Sequence, residues 1–230
     1  MSDEPLAFSP DQFSGLARVF PLPNLVMFPH VMQALHIFEP RYLAMFEEAI
    51  EDDRLITLGL LAPGWEQHYD DRPKLHPTGC LCRIATHQRT PQGTYNVLLL
   101  GVRRLRLIRE LPATKPFRVV ESEILDDHEP DDATGSAAAG LQQQLLAAFK
   151  RSMPKIPQAY EQLDQLLGSQ ITLGMLSDIV SYTLDLDLDT KLRLLAECDV
   201  FRRVRLLMES IDARAAAGGG RTFPPDFSVN

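Results

Sequence analysis

Cysteine is scarce in this sequence: Cys80, Cys82 and Cys198 are all it has among 230 residues. An odd, low count excludes a disulfide framework and fits a reducing compartment, so a cytoplasmic location is expected. Tryptophan is scarcer still, with Trp65 alone. Positive charge is also short. The 23 Lys/Arg face 31 Asp/Glu, a formal net charge of −8, so bulk attraction to DNA, RNA or anionic lipid is not expected. The deficit is uneven: −2 over residues 1–125 and −6 over 126–230. No apolar run approaches the roughly 18 residues of a membrane span. The N-terminal "MSDEPLAFSPDQFSG" lacks the basic start and apolar stretch of a signal peptide. A soluble chain with no membrane partner is the expectation.

Catalytic signatures are missing as well. The sequence has no G-x-x-x-x-G-K-[ST] phosphate cradle and no G-x-S-x-G, H-E-x-x-H or G-x-G-x-x-G. It reads as a non-enzyme without a cofactor. Two metal-like patterns fail on spacing. "DLDLD" (185–189) opens like an EF-hand loop, but Thr190 and Ala196 stand where Gly and Glu are needed. Cys80 and Cys82 lie between His76 and His87. On a strand these thiols are about 6–7 Å apart, whereas zinc pairs favour a C-x-x-C turn. Core-facing thiols are therefore expected, and no metal. His30 and His36 read as structural histidines.

What the chain does have is a dense apolar run, "FPLPNLVMFPHVMQALHIFEPRYLAMF" (20–46). Short strands are expected at 17–22 and 31–38. A helix is expected from Pro40, with Leu43, Phe46 and Ile50 at helical spacing. "RLITLGLL" (54–61) reads as a buried strand and 62–79 as a polar loop. Residues 80–89 and 94–102 flank a "TPQG" hairpin turn. "RRLRLIREL" (103–111) and "FRVVESEIL" (117–125) complete six or seven strands. Arg103, Arg104 and Arg106 form a candidate cationic strip; Leu105 and Leu107 face one way along the strand, Arg104 and Arg106 the other. The period then changes to helical. Leu141, Leu145, Ala148 and Phe149 repeat, followed by helices at 157–168, 172–184 and 190–214, the last capped by Asp189. Its apolar stripe is Val200, Val204, Leu207 and Ile211, against Arg202, Arg203 and Arg205. The expected organisation is a flexible arm (1–16), a β domain (17–125), a linker (126–140), a helical bundle (141–214) and a flexible tail (215–230).

The opening run resembles the start of the Lon protease N-terminal, substrate-binding domain. That family begins P-L-x-x-x-V-x-F-P, matched here by Pro21, Leu22, Val26, Phe28 and Pro29, and continues L-x-I-F-E-x-R-Y, matched by Leu35 through Tyr42. "GCLCRI" and the G-x-x-R of Gly101–Arg104 are similar to its later strands, and "LSDIV" and "TKLRLLAE" to its helical segment. Departures are His30, where glycine is frequent, and Leu192 and Ala196, where Gln and Glu are usual. The resemblance implies an α+β fold: a bent, PUA-like β-barrel, then a helical bundle. It implies a stand-alone module without the ATPase and peptidase parts. Such a module would bind unfolded or degron-bearing proteins, with a Lon-type ATPase protease as a further partner; its oligomeric state stays open. Met27, Phe28 and Met32 are the expected rim of a groove, beside Glu39, Arg41 and Tyr42. RNA binding through the arginines, or a small ligand held near Trp65, His68, Tyr69, Cys80 and Cys82, are the rival readings.

Overall fold

The computed structural model describes residues 8–68, 72–129, 135–152 and 171–216. Two compact units meet between Asp126 and Asp127. The first holds six strands: β1 (Leu16–Leu22), β2 (Met32–Ile37), β3 (Leu55–Leu61), β4 (Leu75–Arg89), β5 (Tyr95–Glu110) and β6 (Arg118–Leu125), with helix α1 (Pro40–Glu51) between β2 and β3. The sheet runs β2-β5-β4-β3-β1-β6, and β6 pairs back onto β5. Five strands thus close a barrel, and β2 is added outside it along the first half of β5. β1 and β3 are parallel, and the other pairings are antiparallel.

One long hairpin makes this possible. β4 and β5 turn at Thr90–Gly93, where Thr90 N–H donates to Thr94 O (2.8 Å) and Gly93 takes φ 83°. Their register shifts at Leu81/Cys82 and at Ile84/Thr86. Such bulges bend a hairpin. Residues 103–110 are therefore the bent continuation of β5, not a separate strand, and Leu75–Gly79 belong to β4 rather than to the expected loop. Pro21 is inside β1, opposite Gly59. The barrel core takes side chains from all five strands: Ala17 and Val19, Leu55, Leu81, Val102 and Leu105, Val120.

α1 buries Tyr42, Met45, Phe46 and Ala49. Only Phe46 of the expected stripe lies in that set, because the buried face is rotated toward Tyr42, whose ring packs 4.5 Å from that of Phe20. The first residues also depart from a loose arm. Pro10–Gln12 form a 3-10 turn, and Phe8 and Phe13 pack on the barrel core.

The second unit contains α2 (Gly135–Ser152), α3 (Leu173–Thr183), α4 (Leu188–Ala196) and α5 (Val200–Ala216). Helix α2 already occupies the second part of the expected linker. The expected helix at 157–168 and the tail from 217 lie outside the described residues. Leu145, Ala148 and Phe149 are buried, as are Val200, Val204, Leu207 and Ile211. The expected single helix at 190–214 is two helices, broken at Glu197–Asp199. The cap is Asp187, not Asp189: its carboxylate accepts from Thr190 N–H at 2.8 Å. His128 bridges to Asp199 across the break.

Candidate protein-binding surface

The turn at Phe28–Val31 is fixed by β5. His30 N–H donates to Gly101 O (2.8 Å), and Gly101 N–H donates to Val31 O (2.9 Å). A Cβ on Gly101 would come within 2.1 Å of Phe28 O, so only glycine admits this approach. His30 itself has φ 65°, the left-handed region that glycine adopts freely. This turn drives Val26, Met27 and Phe28 inward, with exposures of 3%, 1% and 0%. Met27 and Phe28 are therefore core residues and are not on a groove rim. Tyr42 is likewise buried, under Arg41, whose guanidinium carbon is 4.7 Å from its ring centroid. Arg41 also bonds Glu39 Oε2 from Nε (3.0 Å). Glu39 is the N-cap residue of α1, and its carbonyl accepts from Tyr42 and Leu43 N–H. The Arg41–Glu39 pair orients the start of α1.

The surface begins at β2. Met32 is 49% exposed and Phe38 44%. Between them Ala34 and His36 also face outward, while Gln33 and Leu35 are half-buried and Ile37 is buried. The His36 ring stacks on Phe38 with centroids 5.9 Å apart, and its Nδ1 is hydrogen-bonded to Asn96 Oδ1 at 2.8 Å. The register sets His36, Asn96 and Gln88 in one row across β2, β5 and β4, and Ala34, Leu98 and Thr86 in the next. An open concavity of about 460 Å³ runs over these rows. On the same three strands, Tyr95 and His87 meet Phe46 of α1, with ring centroids at 4.8 and 5.4 Å. β2 is the end strand of the sheet order, so its outer edge pairs with no strand among the described residues.

Met32, Glu39 and Arg41 thus stay at the surface, and Met27, Phe28 and Tyr42 do not. The exposed Phe38 and the row of His36 were missed, although alternation along "MQALHIF" is the signal that marks them.

The arginine strip takes another form. Arg104 is buried, with 2% exposure, although the unbroken register from Arg103 to Arg106 puts it on the same face as Arg106. Arg103 pairs with Asp126 (3.7 Å), Arg106 with Glu123 (2.7 Å) and Arg109 with Glu121 (2.8 Å). Two acids of β6 and Asp126, just beyond it, offset these cations. Cys80 and Cys82 are buried thiols that donate to backbone carbonyls of Leu81 and Cys80. Among the described residues no group of three His, Cys, Asp or Glu is arranged to hold a metal. No described helix is long and apolar enough to cross a membrane. Trp65 and His68 sit on a 3-10 turn, and Tyr69 lies outside the described residues.

The family model of the ATP-dependent protease La (LON) substrate-binding domain matches residues 17–213. The chain is similar to Lon protease 2 of Herpetosiphon aurantiacus, with 29% identity over 196 residues, 82% of this chain and 23% of that protein. It is also similar to the Lon protease of Xanthomonas oryzae pv. oryzae, 27% identical, covering 92% and 24%. The chain thus spans about a quarter of the length of these curated relatives. Among solved structures, a Lon N-terminal domain protein from Xanthomonas campestris superposes with a TM-score of 0.61 at 22% identity, covering 84% of this chain and 97% of that one. The N-terminal domain of the Mycobacterium avium complex Lon protease gives 0.65 at 18%, covering 86% and 98%.

Proposed function

The chain belongs to the Lon substrate-binding domain family, and from that premise we propose that it is a non-catalytic module that binds extended, apolar segments of unfolded or degron-bearing proteins along β2. The observation that carries this reading is the edge strand itself. Its outer side is unpaired among the described strands, and Met32, Ala34, His36 and the following Phe38 line its outward face. An extended segment adds to such an edge through main-chain hydrogen bonds, which are blind to sequence. Met32 adapts to side chains of different shape, and the His36–Phe38 stack offers a flat apolar platform. A Lon-type ATPase protease is the partner to which such a module would deliver its clients.

A permanently unfolded protein, reduced and carboxymethylated, is the test ligand. Fluorescence anisotropy is expected to show saturable binding that changes little with salt. Met32→Glu combined with Phe38→Glu, both at exposed positions, is expected to weaken it at least tenfold without changing the circular dichroism. Equal affinity of the two proteins would contradict the reading. A steep loss of binding with salt would point instead to charge on the client.

A further inference from the structure

The barrel core is covered at one place by something other than a strand. Among the described residues, the apolar side chains packed on it, besides half-buried ones of β4, β5 and β6, are Phe8 and Phe13, from the arm that precedes β1. Among the described residues, the arm is also held where it enters β1, with Gly15 O accepting from Ser122 N–H at 2.8 Å. The hydrogen bonds within residues 8–14 are local: Ser9 N–H donates to Gln12 Oε1 (3.2 Å), Gln12 N–H to Ser9 O (3.0 Å) and Phe13 N–H to Pro10 O (3.0 Å). They close one 3-10 turn, which sets the spacing of the two rings. Arg103, on β5, lies 5.4 Å from the Phe8 ring centroid, a cation–π contact that any aromatic ring would satisfy. The arm joins β1 through Gly15 at φ 83°, the left-handed region that glycine adopts freely. The core it covers lies inside the family match, which begins at residue 17, and the cover lies before it.

A short turn with two aromatic anchors, seated on an apolar surface and joined by a glycine, has the form of a bound peptide. We propose that this part of the barrel is a second binding site, for a polypeptide segment that forms a like turn and carries two aromatic side chains spaced like Phe8 and Phe13. The arm occupies the site until such a segment displaces it. The proposal rests on the reading of the domain as a polypeptide binder and adds to it a site, a preference for paired aromatics and a gate. A tethered arm competes at an effective concentration on the order of millimolar. Only segments that bind better than the arm, or are held nearby along β2, gain entry.

The probe is a fluorescein-labelled peptide of residues 8–16, FSPDQFSGL. It is titrated into the full chain and into a Phe8→Ser, Phe13→Ser variant whose fold is checked by circular dichroism. The variant is expected to bind the peptide at least tenfold tighter than wild type, and a peptide with both Phe replaced by Ser is expected not to bind. Equal affinity for the two proteins, or no binding to the folded variant, overturns the proposal. A wild-type dimer that the two substitutions dissolve, without any gain in peptide affinity, would overturn it in favour of a second copy's arm as the occupant. Should the variant not fold, wild type with 4-fluorophenylalanine at position 8 serves. Millimolar peptide is expected to move its ¹⁹F resonance, and an unmoved resonance overturns the gate. The two sites separate cleanly. Loss of unfolded-client binding on substituting Met32 and Phe38, with peptide exchange intact, concerns β2 alone. Peptide exchange without any client binding would sink the functional reading and leave the gate standing.

Discussion

Arg203 sits at 0% exposure in the second unit and is matched there group by group. Nη1 donates to Asp127 Oδ1 (2.8 Å) and to Glu197 O (2.7 Å), Nε donates to Ser177 Oγ (2.9 Å), and Nη2 bonds Asp127 Oδ2. Asp178, also fully buried, lies 3.6 Å from Nε. Gly174 leaves room for this cluster, since a Cβ there would stand 2.9 Å from Asp127 Oδ2. Removing one partner of such a buried set leaves charge uncompensated, which costs far more than the set contributes net. Arg203→Met is therefore expected to destabilise the second unit by about 3–5 kcal/mol. Adding Asp178→Leu should recover part of that loss. Urea unfolding followed by amide exchange in α3 and α5 reads both. A loss under about 1 kcal/mol would show that the ion cluster is solvated. The sequence alone placed Arg203 with its neighbours Arg202 and Arg205 on a polar face. Helical spacing puts it beside the apolar stripe, but nothing local announces a carboxylate 76 residues away.

At the scale of elements, α1 is clasped to β1 by charge. Arg18 on β1 reaches Glu48 (2.8 Å), Asp53 (2.7 Å) and Asp52, and Lys115 also pairs with Glu48. Burial acts to raise the Glu48 pKa, but the hydrogen bonds from Lys115 and Arg18 outweigh it and hold the carboxyl below its ordinary value. A carboxyl depressed in the folded state stabilises above its unfolded pKa, and the gain is lost as pH falls through the folded value. The first unit should thus hold its thermal midpoint from neutral pH to about pH 5 and lose it below the ordinary carboxylate range near 4.3. Glu48→Gln should flatten that acid slope, by about 1 kcal/mol or less because Glu48 is a third exposed. An unchanged slope in the variant would remove Glu48 from the account. Element positions were largely legible: strand alternation, the "TPQG" turn and the Pro40 helix start all carry local signals. The α4–α5 break was not, because Glu197–Asp199 hold no Gly or Pro; the break is fixed instead by Asp199 N–H to Glu197 Oε1 (2.9 Å) and by the His128 bridge. The helix face of α1 was read one position off because Tyr42 and Ala49 read as half-polar and small.

At the scale of the whole molecule, the family was legible because its motifs fall where backbone geometry is most constrained. The Phe28–Val31 turn must close on Gly101, and the left-handed position 30 follows from that closure. The same constraint hid the proposed binding surface. Of the residues that carry the family likeness, Phe28, Ile37 and Tyr42 are buried; Phe38 is both a motif residue and exposed, and the exposed Met32 lies outside the motif. Hydrogen–deuterium exchange on the full chain, with and without a saturating unfolded client, tests whether clients bind along β2. Slowed exchange is expected over residues 32–38, with weaker protection across Thr86–Gln88 and Asn96–Leu98. Saturable client binding with exchange over 32–38 unchanged would contradict it and place the client elsewhere on the domain.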